Sequence, residues 1–177
     1  MSDRRFGRSA LFAAGAFIAG IAVLAAVAVV SAGGAKVVDA DGPLVVFADP
    51  YGNGSANPTQ GGAASVHSVT TPSGKSIVML HVSGLAPNRS FGAHVHVVAC
   101  ETGKAGGHYR NDPAGPATAA NEVWLDFTTN AAGHGQAQAV VDFGFRPDGA
   151  NAVVVHDHGT DAAGAAGPKL GCINVDF

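Results

Sequence analysis

The sequence predicts an all-β domain, a sandwich or Greek-key barrel of antiparallel strands, and three observations carry that expectation. Short apolar or alternating runs recur at 44–47, 76–82, 93–98, 123–128, 136–141, 152–156 and 172–177. Turn-forming clusters stand between them. No internal repeat and no long amphipathic helix interrupts the series. Many short runs separated by Gly, Pro, Asn and Asp are the mark of strands joined by turns.

The elements follow in chain order. Arg4, Arg5 and Arg8 precede an uncharged run, 10–32, that exceeds the about 20 residues needed to span a bilayer. Residues 1–35 are therefore expected to be a signal peptide or an N-terminal membrane anchor, and 36–177 the β domain. Small residues from Ser31 to Ala35 offer cleavage sites, so both outcomes stay open. No cysteine lies there, which removes a lipoprotein, and Arg4-Arg5 lacks the flanks of a twin-arginine signal. Either way the domain is expected to be extracytoplasmic, secreted or held at the outer face of the membrane, which it meets only through this segment.

Run 44–47 opens the domain, and 49–64, rich in Gly, Asn, Pro and Ser, reads as a long hairpin loop. After the turn Pro72-Ser73-Gly74, run 76–82 puts Leu80 and Val82 on one face and Ile77, Met79 and His81 on the other, so His81 is expected to point outward. His67 and His134 are expected to be exposed, and Trp124 to be partly buried packing.

Run 93–98 carries His94-Val95-His96. Strand side chains repeat every two residues, so both imidazoles share one face and form a pair of metal arms. His108 follows in a glycine-rich loop, and His156-Asp157-His158 closes the apolar run Val153-Val154-Val155. Four to five imidazoles converging on one place would suit copper or zinc. His156 is the expected ligand, and His158 would share its side only if the strand continued past Gly159.

Composition narrows the function classes. At 177 residues the chain has material for one domain with a real core. The formal charge of −3, with no basic stripe interleaved with aromatics, excludes a nucleic-acid partner. Only Cys100 and Cys172 occur, and in an exported domain two thiols point to one disulfide.

Gly92-Ala93-His94-Val95-His96, Cys100, Gly106-Gly107-His108-Tyr109, Val154-Val155-His156 and Lys169-Leu170-Gly171-Cys172, in this order, resemble the Cu/Zn superoxide dismutase family. The likeness covers 44–177 and includes Gly84-Leu85, where the family ends a strand. It implies the family's Greek-key β-barrel, copper ligation by His94, His96, His108 and His156, and a Cys100–Cys172 disulfide holding the active-site loop. It also implies superoxide as substrate: one superoxide gives up an electron to copper and leaves as oxygen, and a second takes it and leaves as peroxide. His108 is the expected proton donor for the second step.

Departures from the family matter as much. The family's zinc takes further histidines from the loop after the residue matching His108, whereas no histidine lies between His108 and His134. Zinc is therefore not expected. Asp112, Glu122 and Asp126 could each accept a hydrogen bond from His108 in its place, and Glu122 is the candidate. Lys169 stands where the family has an arginine that guides superoxide; it keeps the charge but not the planar fork of donors. Lys169, with Arg110, would supply the local positive field. The loop from His156 to Cys172 is short and Gly/Ala-rich, as in the copper-only branch of the superfamily. The expected function is a copper-dependent superoxide dismutase without structural zinc; the alternative is a copper-binding store or delivery protein of the same fold with little turnover.

Overall fold

The computed structural model describes residues 28–32, 34–100 and 105–177; for 28–32 it describes the strand alone. The expectations placed on residues 1–27 lie outside these. Among the described residues ten strands form two antiparallel sheets. The first contains β1 (Ala28–Ala32), β2 (Ala35–Pro43), β4 (Ala63–Thr70), β5 (Ser76–Ser83) and β8 (Gly135–Val141), in the order β1-β2-β4-β5-β8. The second contains β3 (Val45–Val46), β6 (Ser90–His96), β7 (Phe127–Thr128), β9 (Ala152–His156) and β10 (Lys169–Asn174), in the order β3-β10-β9-β6-β7. The chain passes between the sheets after β2, β3, β5, β7 and β8, the mark of a Greek-key sandwich.

Period-two alternation builds the core. Val38, Ala40, Val66, Val78, Leu80 and Val82 face inward from the first sheet and meet Phe91, Val95, Val153, Val155 and Ile173 from the second. Each large side chain so buried contributes roughly 1.5–3 kcal/mol. The first sheet shows its other face to solvent, with exposed His81 two residues from half-buried Met79.

The second sheet is covered on both sides. In β9 every residue is buried, and in β6 all but Ser90. That outer face, with Gly92, His94, His96 and His156, lies under the loops before β7 and after β9. A small cluster of Cys100, Ala105, Ala152, Val154 and Cys172 completes the cover. Cys100 and Cys172 form a disulfide, with Cα atoms 5.6 Å apart, that ties the loop after β6 to β10.

Four elements differ from the sequence expectation. The segment 49–64 is no hairpin loop: it crosses from β3, paired with β10, to β4, paired with β2 and β5. Run 123–128 forms a strand only at Phe127–Thr128. Before that, Asp126 Oδ1 takes the Ala93 amide and interrupts the ladder, so Trp124 keeps only an isolated bridge to His94. Strands β2 and β4 were not anticipated, because their alternation is written in small residues such as Ala63, Ala64 and Ser65 that give little hydrophobic contrast.

Candidate metal centre

β6 and β9 are hydrogen-bonded neighbours, and their register sets His96 opposite Ala152 and Gly92 opposite His156. That stagger, with alternation, brings His94, His96 and His156 to one face. The loop after Cys100 returns along β6, where Tyr109 N bonds Val95 O at 2.8 Å, and delivers His108 beside His96. One nitrogen of each of His94, His96, His108 and His156 then lies within 4.8 Å of all the others, and three of the four residues are buried.

Which nitrogens converge follows from what the others bond. His96 Nδ1 lies 3.1 Å from Gly106 O and His156 Nδ1 3.1 Å from Gly167 O; a carbonyl only accepts, so both Nδ1 atoms carry the proton. His108 Nδ1 lies 3.0 Å from Glu122 Oε2, with the same result. For His94 the reasoning passes through a threonine. Thr160 Oγ1 donates to Asp126 Oδ1 at 2.7 Å, so it accepts from His94 Nε2–H at 2.8 Å. His94 Nδ1 is left buried with no partner.

Four bare lone pairs therefore face one another. His96 Nε2 and His156 Nε2 stand 3.1 Å apart with no proton to share between the neutral rings. A buried polar atom without a partner is costly, and opposed lone pairs more so; a cation at their centre resolves both. The donor set fits a metal ion.

The electrostatics agree with neutral imidazoles at His94, His96 and His156. Burial first, then neighbouring histidines, hold His94 and His96 down to about 2. His156 is lowered to about 4, chiefly by burial, against which the bond to Gly167 works. Ligands held neutral need lose no proton to bind a metal.

Glu122, fully buried, is the centre of the supporting shell. Oε2 accepts from His108 Nδ1 and, at 2.8 Å, from Trp124 Nε1; Oε1 accepts from Arg110 Nε at 3.3 Å. Of the three carboxylates considered for His108, Glu122 alone reaches it. Asp112 caps a turn at Ala114, and Asp126 holds Thr160 and the Ala93 amide. Trp124 also stands edge-on to His94, with ring centroids 6.1 Å apart.

Two glycines admit the cover. At Gly92 a Cβ would lie 2.6 Å from both Ala166 Cβ and His158 O, so only glycine lets the loop after β9 rest on β6. Gly106, at φ +65°, turns its carbonyl to His96 and also accepts from Lys169 Nζ. Lys169 sits opposite His156 in the β9–β10 register, beside the centre. β9 ends at His156, and His158 is exposed, with Nδ1 near Gly159 O, outside the group. His134 is exposed, and His67 bonds Asp39. Thr160 was missed from sequence: a lone threonine in a Gly/Ala loop carries no signal until the loop is folded over His94.

Fold and site together define an all-β Greek-key sandwich with a four-histidine group able to hold a metal ion. No model of a known protein family matches the chain, and no curated protein sequence does. Solved structures do. The clock protein EA4 superposes with a TM-score of 0.52 at 20% identity, over 69% of this chain and 89% of that one. An SOD-like protein from Bacillus subtilis gives 0.47 at 15% identity, over 76% and 98%, and a double mutant of an SOD-like protein from Bacillus subtilis gives 0.49 at 18%, over 65% and 90%. At these identities the likeness is one of fold. The disulfide is compatible with an extracytoplasmic location. Among the described residues no helix is long and apolar enough to cross a membrane.

Proposed function

We propose that the chain is an extracytoplasmic superoxide dismutase that works with one copper ion and no structural zinc, turning two superoxide ions and two protons into oxygen and hydrogen peroxide. The convergence of four bare imidazole nitrogens is the observation that supports this most. His94 Nδ1 and the Nε2 atoms of His96, His108 and His156 would hold the ion. All-imidazole ligation suits both Cu(I) and Cu(II), and copper when bound supplies the one-electron chemistry.

The chain's own residues do the rest. Glu122 accepts a hydrogen bond from His108 Nδ1–H and fixes the ring so that Nε2 faces the site. His108 would serve in turn as a ligand through Nε2 and, with that atom free of the ion, as the group that holds a proton there for the peroxide product. His108 is the only one of the four that is not buried, so that proton can be replaced from solvent. Lys169 draws the anion toward the centre, and Thr160 with Asp126 keeps His94 in the tautomer that leaves Nδ1 bare.

A second reading, a copper store or delivery protein, is favoured by Lys169, whose ammonium bonds Gly106 O and has no planar fork for a diatomic anion. Metal analysis with a dismutation assay on the purified chain separates these readings. One copper, no zinc and superoxide turnover support the enzyme; full copper without turnover leaves the store, and one zinc per chain overturns both. Lys169→Arg raising turnover at unchanged copper content would identify anion guidance as limiting.

A further inference from the structure

The solvent face of the first sheet carries a second group of metal-binding side chains, on the opposite side of the sandwich from the four histidines. Val78, Leu80 and Val82 point into the core, so Met79 and His81 point outward; on β4, Val66 and Ser68 are buried and His67 points outward beside them. The register sets His67 directly opposite Met79, and Ser65 opposite His81. Opposed residues have Cβ atoms about 5 Å apart, and alternate residues on a strand are spaced about 7 Å. His67 and Met79 are thus cross-strand neighbours, and His81 lies on the same face two residues along β5. Met79 is the only methionine after Met1.

One more feature fits these residues to a metal. His67 Nδ1 lies 2.6 Å from Asp39 Oδ1, which places the proton on Nδ1 and leaves the Nε2 lone pair free to ligate. A carboxylate behind a histidine is the usual support of a metal ligand.

We propose that His67, Met79 and His81 form a surface site for Cu(I). The thioether decides the metal. A soft sulfur with two imidazoles suits three-coordinate Cu(I), whereas Zn(II) gains little from a thioether and prefers four ligands. The site would take up a copper equivalent beyond the one held by the four-histidine group, and it does not depend on what that group does.

Anaerobic Cu(I) titration of the purified chain against a chromophoric chelator, with ascorbate as reductant, tests this. The wild type is expected to bind two equivalents, the second with a Cu–S distance of about 2.3 Å in X-ray absorption. Met79→Leu conserves volume at a half-exposed position, so the fold should survive it. It should weaken the second equivalent at least tenfold and abolish the Cu–S signal while leaving the first equivalent in place. His81→Asn should weaken the second equivalent similarly. A wild type without a Cu–S signal, or a sulfur-bound equivalent unchanged in Met79→Leu, would overturn the proposal.

Discussion

Replacing Glu122 by Gln tests whether the carboxylate behind His108 does more than fill space. Three donors meet two oxygens: His108 Nδ1 and Trp124 Nε1 at Oε2, and Arg110 Nε at Oε1. A glutamine of the same shape can keep its oxygen toward His108 and Trp124 only by turning its amide donors at Arg110. A charge-assisted bond is replaced by two opposed donors at a fully buried position, and the expected loss is roughly 1.5–3 kcal/mol of stability. The loss of charge also weakens the hold on the His108 ring, and removing such a support costs a metal site about 10–100-fold in affinity. Urea unfolding of the metal-free chain reads the first effect, and copper competition titration reads the second. Trp124, the one tryptophan in the chain, bonds the same carboxylate and gives a fluorescence signal for both. A Glu122→Gln variant with wild-type copper affinity and an unchanged urea midpoint would refute the reasoning; lost stability with full affinity would reduce Glu122 to a structural role.

Thr160→Val strips the acceptor from His94 Nε2–H; about 1–3 kcal/mol of stability and much of the copper affinity should go, while Thr160→Ser keeps both. Urea midpoints and copper titration of the two variants decide, and equal behaviour would remove the threonine from the site. Acid should destabilise the metal-free chain. His94, His96 and His156 are neutral when folded but protonate near 6.5 when unfolded, so they cost nothing above that pH and destabilise progressively below it, down to about 4 for His156 and about 2 for His94 and His96. Three such groups give a slope approaching about 4 kcal/mol per pH unit, and a urea midpoint unchanged between pH 7 and pH 4.5 would contradict it. Reducing Cys100–Cys172, which spans 72 residues, should cost about 4 kcal/mol on chain-entropy grounds and lower the urea midpoint; an unmoved midpoint would show that packing alone holds that loop.

Residues whose message is periodicity were legible before folding. His94 and His96 share a face because strands alternate, and Val153-Val154-Val155 delivers His156 because a short β-branched run is a strand whatever surrounds it. Glu122 was legible only as one of three carboxylates. Its selection over Asp112 and Asp126 depends on how the segment before β7 lies across β6, which bonds such as Leu125 N to Ala93 O fix through space. The crossover of 49–64 was misread for a similar reason: composition marks a turn-rich segment but not which sheet receives it.

Amino-acid order by itself determined the all-β class, the four histidines and the cysteine pair, because alternation, turn residues and residue chemistry are properties of neighbours along the chain. Tertiary structure alone decided which nitrogen of each histidine is bare. That choice is made by Gly106, Gly167, Glu122 and, through Thr160, Asp126, acceptors brought up by loops that fold over the sheet. A proton's position on an imidazole is set by its partner in space, and no pattern in sequence records it.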